Sequence, residues 1–444
     1  MKKLLIYSPK QSNRLSYILE VILSNMLALE WQVTSEQEAY ITYLGPKLNY
    51  SATRLTKEEI HFPPQGLLFE TTVRPHQPEV DCSGPFPVLY PHQDTKADYI
   101  FDPFSMCFYL LSRYEEYLPY TPDVHGRFPA KASLAYRHGF LQLPVINMWL
   151  ASFRKCLLQY FPDLQLPVLP FHFQATYDID LAWAFKHRTG GRNLLGAAKD
   201  GLKMNGRQLI LRLQVLRGLA EDPFDTYDFL QSLHQEYDLP AHFFFLLGDY
   251  SQYDKNIHPD HPALLQLIRL LGEKHQLGIH PSYRSNNSDQ QLIKEIKRLE
   301  AVLEKPVVHS RQHYLKLHLP TTYQNLVAGG IQHDYSMGYA AEIGFRAGIA
   351  HSFRWYDLSK EITTDLTIHP FQVMDVTLKN YLKLDAEEAL GRILPMMESV
   401  KLTGGTFSTL WHNSSFSEIM GWHGWREMYR KLLAKGKVFE LKVL

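Results

Sequence analysis

Seven apolar, strand-like runs recur from residue 171 onward, and helical segments separate most of them. The runs are FHFQATYD (171–178), AHFFFLLG (241–248), LGIHPS (277–282), VVHSRQHYL (307–315), IQHDYSM (331–337), IHPFQVMD (368–375) and GTFSTLWHN (405–413). Strands that are apolar on both faces and alternate with helices indicate a parallel sheet covered by helices. We therefore expect an α/β fold in which seven strands close into a barrel or a barrel-like sheet.

The preceding residues read as a smaller α/β domain. KKLLIYSP (2–9) is typical of a strand and SYILEVILSNMLAL (16–29) of an amphipathic helix, and further strands are expected at AYITYL (39–44) and GLLFETT (66–72). The proline-rich stretch FPDLQLPVLP (161–170) disfavours helix continuation. We place a domain boundary there, with domains over residues 1–165 and 171–444.

An apolar helix is expected within FSMCFYLLSRYEEYLPY (104–120), and it ends in Arg113, Glu115 and Glu116. These charges either contact the second domain or form a solvated helix end, which is the commoner arrangement.

Composition narrows the class of protein and of partner. The chain has 444 residues, 45% of them hydrophobic, and 46 basic residues balance 46 acidic ones. This balance gives no reason to expect a polyanionic partner such as nucleic acid or an acidic membrane surface, although it leaves room for a local basic patch. The first apolar run, LLIY, is shorter than a signal-peptide core, no apolar stretch reaches transmembrane length, and the three cysteines show no CxxC spacing. We expect a cytoplasmic protein without a membrane span.

The first of the seven runs ends on two acids, Asp178 and Asp180. Residues i and i+2 of a strand point the same way, so both carboxylates converge on one small volume if the strand persists that far. Their repulsion is then relieved by a cation or a shared proton. The alternative is a loop with two solvated acids.

Ionisable residues also follow other strand candidates: His280, Arg311, His313, Asp334 and His412. In (β/α) barrels the C-terminal ends of the strands carry the chemistry, because side chains from sequence-distant strands converge there. We therefore expect a functional site at that end. A single histidine on a strand, such as His309 or His333, is more typical of a hydrogen-bonded core residue.

Five short motifs follow one another in strand order: TYDID (176–180), HPSYR (280–284), RQHY (311–314), HDYS (333–336) and LWH (410–412). Together they resemble the motifs of the NodB-homology polysaccharide deacetylases of carbohydrate esterase family four, over roughly residues 171 to 436. The resemblance is to a divergent bacterial branch with an extra N-terminal domain. It implies a distorted seven-stranded (β/α) barrel and a divalent metal, usually zinc, held by one Asp and two His.

The chain departs from the family pattern in three motifs. In the first, the second acid is displaced by one residue to Asp180; in the second, Arg284 replaces the second histidine; and in the third, His313 stands where the family has proline. A guanidinium remains cationic and repels a metal, so Arg284 does not replace the lost ligand. A third ligand must then come from elsewhere or be water. We propose Asp180, His280 and His313 around the ion, because His313 lies on the next strand candidate after His280, and His369 is the fallback for the third ligand. A purely structural role for His313 is nearly as plausible.

The resemblance also implies roles for the remaining residues. Asp178 is expected to act as the general base and His412 as the general acid that protonates the leaving amine. Arg311 is expected to hold Asp178 ionised, and Asp334 to fix the tautomer of His412. These two partners could also be interchanged.

Substrate recognition is expected from aromatic side chains and from a glycine-rich loop. Tyr314 and Trp411 are candidate substrate-binding residues, and the segment GYAAEIGFRAG (338–348) is expected to carry Arg346 toward an anionic substituent. Aromatic residues near the strand ends either stack on sugars or form core: Tyr335, Tyr339, Phe345, Trp355 and Trp411.

Three functions remain open. The first is a metal-dependent N-deacetylase acting on an N-acetylated sugar, with a nucleotide or lipid carrier more plausible than cell-wall polymer. The second is hydrolysis of another C–N bond, such as that of a cyclic amide, on the same fold. The third, motivated by the lost second histidine, is a catalytically inactive carbohydrate-binding protein.

Overall fold

The computed structural model describes residues 3–202 and 204–441. Its first 160 residues form short strands and helices. The strands are β1 (Leu4–Tyr7), β2 (Trp31–Thr34), β3 (Lys47–Asn49), β4 (Ile60–His61), β5 (Val80–Asp81) and β6 (Val88–Leu89). The helices are α1 (Asn13–Leu19), α2 (Gln37–Thr42), α3 (Pro103–Leu111), α4 (Leu134–Arg137) and α5 (Val145–Tyr160), and α1 continues as a π-helix over Glu20–Met26.

The remaining residues alternate between strands and helices. The strands are β7 (Phe171–Ile179), β8 (Ala241–Phe245), β9 (Gln276–Ile279), β10 (His309–Ser310), β11 (His333–Asp334), β12 (Phe353–Asp357), β13 (Ile362–Ile368), β14 (Val373–Met374) and β15 (Gly405–His412). The helices are α6 (Gly190–Leu202), α7 (Gly206–Leu216), α8 (Tyr227–Tyr237), α9 (Pro262–Gly272), α10 (Asp289–Leu303), α11 (Thr321–Ala328), α12 (Ala386–Thr403) and α13 (Trp425–Leu441).

A four-stranded parallel sheet, in the order β2-β1-β3-β4, organises the N-terminal part. The strand expected at 39–44 is instead the end of helix α2 and the two irregular residues after it, and the one expected at 66–72 contains a 3₁₀ turn, Leu67–Phe69. Both segments are short and apolar, and such runs do not distinguish strand from helix by periodicity alone.

A nine-stranded sheet organises the C-terminal part, where seven strands are predicted. Each of the seven predicted runs contains strand residues. The run at 368–375 divides at Pro370, because proline has no N–H for the ladder: Ile368 ends β13, and Val373–Met374 forms β14. The remaining extra strand, β12, pairs antiparallel with β13 and has no predicted counterpart.

The order of this sheet is β12-β13-β11-β10-β9-β8-β7-β15-β14, and every pair except β12–β13 is parallel. Among the described residues the edge strands β12 and β14 do not pair, so the expected closed barrel is not formed. Because the central strands are parallel, the C-terminal ends of β7, β9, β10 and β15 lie along one edge of the sheet, which positions the site described below.

The two parts share one continuous hydrophobic core, which extends from Leu4 to Phe439. Helix α5 is also hydrogen bonded to the C-terminal part, since the Asn147 side chain donates to the carbonyl of Gly404 at 2.6 Å and accepts from the amide of Ala350 at 2.9 Å. The two parts therefore do not have separate cores. The boundary near residues 161–170 stays a prediction that the two parts are separate folding units.

The charges at the end of α3 belong to this contact rather than to solvent. Arg113 binds Glu115 and Glu116, each at 2.8 Å, and Glu116 binds Arg346 of the C-terminal part at 2.6 Å. All four side chains are buried.

Across residues 3–202 and 204–441, no helix combines the length and the apolarity required to cross a bilayer.

Candidate metal centre and active site

Strand β7 delivers the two acids to the edge of the sheet. Asp178 is paired in register with Phe244 of β8 and His412 of β15, and Asp180 follows directly after the strand ends at Ile179. The Asp178 carboxylate is buried, whereas the Asp180 side chain is 31% exposed. A single imidazole reaches both: Nε2 of His280 lies 3.1 Å from Asp180 Oδ1 and 3.7 Å from Asp178 Oδ2. The two acids therefore converge, as the i, i+2 spacing predicts.

Two histidines complete a group around Asp180. His280 follows β9, and His313 begins a 3₁₀ turn just after β10. One potential ligand atom from each of Asp180, His280 and His313 lies within 4.8 Å of the others. The structure thus brings together the three residues predicted as metal ligands.

Hydrogen bonds orient both imidazoles toward Asp180. His280 Nδ1 lies 2.6 Å from the carbonyl oxygen of Arg311; a carbonyl only accepts, so Nδ1 carries the proton. His313 Nδ1 lies 2.9 Å from Asp254 Oδ1. Asp254 is itself held by the amide of Tyr283 and the hydroxyl of Ser251. In both neutral rings Nε2 then presents a lone pair to the acid, the arrangement that metal-bound histidines adopt.

The local charges fit a bound cation. The Nε2 lone pair of His280 faces Asp180 Oδ1 at 3.1 Å, and this buried oxygen accepts no hydrogen bond. Two acceptors at that distance repel unless a proton or a metal lies between them. Burial alone would raise the pKa of Asp180, but His313 and His412 hold it well below its usual value. Burial alone would lower the pKa of His313, yet Asp180 and Asp254 raise it to about 9. One carboxylate oxygen and two imidazole nitrogens match the preferences of zinc.

The Asp178 carboxylate is bound by a buried arginine. The fully buried Arg311 donates to Asp178 Oδ1 at 3.0 Å, which is the predicted contact. Arg311 is fixed in turn by the carbonyl of Tyr335 at 2.9 Å, and its guanidinium lies over the ring of Phe244. A guanidinium and a carboxylate in this arrangement form a charge-assisted hydrogen bond.

The predicted partner of His412 is wrong. His412 Nδ1 contacts Asp375 Oδ1 at 2.9 Å, and the His412 amide donates to the same carboxylate. Asp334 instead accepts hydrogen bonds from Ser310 and Ser336. The sheet order explains the difference: Asp375 follows β14, the neighbour of β15, whereas Asp334 ends β11, five positions away. Burial alone would lower the pKa of His412, but Asp375 and Asp180 raise it to about 10.

The sequence contains a signal that could have identified Asp375. It is the last residue of the predicted run IHPFQVMD, so the criterion that selects Asp178, an acid at a strand end, also applies to it. Asp254 carries no such signal, because it lies in a loop nine residues beyond the end of β8 and its contact with His313 is tertiary.

A cavity of about 320 Å³ opens onto these groups. Asp178, Asp180, His280, His313 and His412 line its polar wall, and Tyr253, Lys255, Tyr314, Met374, Tyr381 and Leu410 are among the residues around it. Arg127, from the N-terminal part, also lines the cavity and donates to the carbonyl of Tyr314 at 2.6 Å. The N-terminal part therefore contributes directly to the site.

An aromatic cluster that sequence reasoning missed borders the cavity. Tyr253 stacks on Tyr283 with centroids 4.1 Å apart, and Tyr314 meets both rings. His125 of the N-terminal part contacts all three tyrosines. Tyr314 thus lies where a substrate-binding residue is expected.

Two predicted substrate-binding residues lie elsewhere. Trp411 is fully buried and packs on Phe416 and Tyr429, because alternate residues of β15 face opposite sides and Leu410 and His412 take the cavity side. Arg346 is buried, and its guanidinium is neutralised by Glu116.

The other aromatic candidates and the fallback ligand also lie in the interior. Tyr335, Tyr339, Phe345 and Trp355 are all buried. His369 stacks on Tyr335 at 4.4 Å and lies 3.0 Å from a ring nitrogen of His333, so its imidazole is engaged outside the metal-ligand group.

Comparison with known proteins gives partial matches. Residues 4–162, about a third of the chain, match a family described as "Family of unknown function (DUF7033)". No curated protein matches the sequence.

Among solved structures, a Mycobacterium smegmatis protein assigned to the polysaccharide deacetylases is 14% identical, with a TM-score of 0.39 over 61% of this chain and 87% of its own. The Puue allantoinase is 9% identical, with a TM-score of 0.38 over 60% and 85% of the two chains. The polysaccharide deacetylase Bc1974 from Bacillus cereus is 10% identical, with a TM-score of 0.29 over 61% and 88%. With TM-scores this low, the function proposed below rests on the site itself.

Proposed function

We propose that the chain is a metal-dependent hydrolase that removes N-acetyl groups from an N-acetylated sugar or glycan precursor. The observation that carries the proposal is the convergence of Asp180, His280 and His313 on one point, with Asp178 and His412 beside it. Hydrolysis of an amide needs a group that activates water, one that accepts a proton and one that protonates the leaving nitrogen. These five side chains provide that set within one cavity.

A divalent metal such as zinc, held by Asp180 and by Nε2 of His280 and His313, would polarise the acetyl carbonyl and lower the pKa of the attacking water. Asp178, hydrogen bonded to Arg311, accepts a proton from that water as the water oxygen bonds to the carbonyl carbon. His412, with Asp375 on Nδ1 and Nε2 toward the cavity, donates its proton to the nitrogen as the C–N bond breaks. Acetate and a free amine are the products.

The replacement of the family's second histidine does not make the site incomplete in this proposal. Arg284 is exposed, and His313 supplies a second imidazole from the next strand. A complete donor set with both proton-transfer partners favours a catalyst over an inactive carbohydrate-binding protein.

The cavity supports a small polar substrate with an apolar face. Its volume of about 320 Å³ accommodates one sugar unit, and Tyr314 offers an exposed ring beside the polar wall. Its wall includes Lys255 and Arg127, which replace Arg346 as the basic residues nearest the substrate.

The test separates the two acids. Asp178→Asn should retain the metal and lose about two to four orders of magnitude in turnover, the usual contribution of a positioned general base. Asp180→Asn should lose metal affinity first, and excess zinc should partly restore activity. Asp163→Asn, an exposed aspartate outside the cavity, is the matched control.

Metal content and release of free amine from N-acetylglucosamine oligomers are measured for each variant, with a cyclic amide as the alternative substrate. Metal loss in Asp178→Asn and retention in Asp180→Asn would reverse the two roles. If neither variant loses metal or turnover, the assignment of this site is wrong. Turnover of the cyclic amide alone would replace deacetylation with the other C–N hydrolysis.

A further inference from the structure

A pair of helices next to the site turns its apolar residues away from the protein. This segment, residues 190–219, contains α6, α7 and their flanking residues, and we call it the basic hairpin. Eight of its large apolar side chains are between 42% and 92% exposed: Leu194, Leu195, Leu202, Met204, Ile210, Leu213, Leu216 and Leu219. The described part of the chain has 27 large apolar side chains with high exposure, and these eight of them fall within 26 residues. Such concentration marks an interaction surface, whereas single exposed apolar residues do not.

The helix periodicity shows that this exposure is systematic. On α7, Arg212 and Val215 face the protein, whereas Ile210, Leu213 and Leu216 recur at three-residue spacing on the opposite side. On α6, Asn193 and Asp200 are the buried residues, and the exposed leucines lie opposite them. A surface helix of a globular protein normally has the reverse arrangement, with the apolar stripe facing inward.

The inward face holds the basic hairpin in this orientation. Arg212 binds Asp200 at 2.8 Å and lies over the ring of Phe185, which forms a small apolar cluster with Ala184 and Val215. Both helices are therefore attached through their polar or small residues, and the exposed leucines are not needed for that attachment.

The same segment is strongly basic in a chain whose formal net charge is zero. Residues 190–219 contain six basic residues, Arg192, Lys199, Lys203, Arg207, Arg212 and Arg217, against the single acid Asp200. Asp200 is paired with Arg212, whereas Lys199, Arg207 and Arg217 are exposed beside the leucines. The exposed surface thus combines apolar side chains with uncompensated positive charge.

We propose that the basic hairpin binds the surface of an anionic lipid bilayer, with both helices lying in the plane of the interface. Exposed leucines flanked by Lys and Arg are the composition of such interfacial helices, since the apolar face enters the headgroup region and the cations contact anionic lipids. A symmetric contact between two copies of the chain would bring these like charges together, which disfavours that occupant. A bilayer satisfies both features at once.

The basic hairpin also adjoins the cavity. Arg192 of α6 donates to the carbonyl of Asn256 at 3.0 Å and to that of Lys255, and its guanidinium lies over the ring of Tyr250. Lys255 lines the cavity, and Asp254 next to it holds His313. Docking would place the cavity close to the lipid headgroups. The substrate class then follows from the proposed function, on which this step rests: an N-acetylated sugar carried on a lipid.

Flotation of the full chain with vesicles tests the binding without any substrate. One set of vesicles contains phosphatidylcholine alone and the other includes about 30 mol% phosphatidylglycerol. We expect at least about tenfold stronger partitioning onto the anionic vesicles. The double variant Leu195→Glu/Ile210→Glu should lose at least about tenfold of this partitioning, and Lys199→Gln/Arg207→Gln should lose several-fold.

The matched control is Leu402→Glu/Leu270→Glu, which changes equally exposed leucines on other helices and should bind as the unchanged protein does. Circular dichroism confirms that each variant is folded. Three results would overturn the proposal: equal binding to both vesicle types, unchanged binding of the Leu195/Ile210 variant, or a lipid-free dimer that this variant converts to monomer. Vesicle binding is measured without catalysis, so the bilayer proposal can fail while the proposed function stands, and the reverse.

Discussion

Replacing Asp254 by asparagine tests the role of His313 as a metal ligand. Asp254 accepts a hydrogen bond from His313 Nδ1 at 2.9 Å and is buried at the back of that ring. Asparagine has nearly the same shape, and its amide oxygen can still accept from Nδ1. The change therefore removes the negative charge and leaves the ring orientation intact.

The expected magnitude follows from that single contact. A hydrogen bond to a charged acceptor contributes about 1.5–3 kcal/mol and a neutral one about 0.5–1.5 kcal/mol, so the variant loses about 1–1.5 kcal/mol of support for the ligand. This loss corresponds to about a 5- to 13-fold weaker metal affinity, which reaches only the lower end of the roughly 10- to 100-fold effects typical for partners of metal-bound histidines. Asp254→Ala should cost more, up to about 100-fold, because the amide of Tyr283 also loses its acceptor.

Competition with a chromophoric chelator measures zinc and cobalt affinity for these variants, for Asp180→Asn and for the control Asp163→Asn. The contrary result is that Asp180→Asn loses metal while Asp254→Asn and Asp254→Ala bind it as tightly as the unchanged protein. In that case His313 is a structural residue and the third ligand lies elsewhere.

Two further predictions concern charges that the tertiary structure pairs. Asp375→Asn should retain the metal, lower turnover by about 100-fold and move the basic limb of the kcat/KM profile to lower pH, because Asp375 raises the pKa of His412; an unmoved limb would assign the limb to another group. Glu116→Gln should lower the free energy of unfolding by about 3 kcal/mol or more, since it leaves part of a buried ion pair uncompensated, with the exposed Glu58→Gln as control. Burial alone would raise the pKa of Glu116, but Arg346 and Arg113 lower it. The ion pair's contribution to the free energy of unfolding should therefore be complete above the ordinary glutamate pKa and be lost only as the pH falls through the lowered pKa. Urea unfolding measures the difference between Glu116→Gln and the unchanged protein, and a difference that is already lost at neutral pH would contradict this sign.

Sequence periodicity was sufficient for the local part of the fold. All seven predicted runs in the C-terminal part contain strand residues, because a buried parallel strand needs only a short apolar run bounded by helices. The same local rule placed Asp178 and Asp180 on one side of a strand end. It failed where strand and helix have the same short apolar signature, as at α2, and where Pro370 divides a run.

Only the tertiary structure shows which residues that lie far apart in the chain contact each other. Asp375, not Asp334, reaches His412 because β14 lies beside β15 and β11 does not. Arg346 is drawn into the contact between the two parts by Glu116, a residue 230 positions earlier. Neither pairing leaves a trace in local spacing.

The amino-acid sequence by itself determined which residue types lie at the strand ends and therefore the chemistry that the edge of the sheet can carry, since strand alternation is a property of the local backbone. Only the tertiary structure decided which of those groups face one another, because the geometry of a site depends on strand order and on loops such as the one that carries Asp254. It also decided that the apolar stripes of α6 and α7 face outward. An amphipathic sequence specifies two faces of a helix, and only the packing of Arg212 and Val215 against the protein determines which face remains exposed.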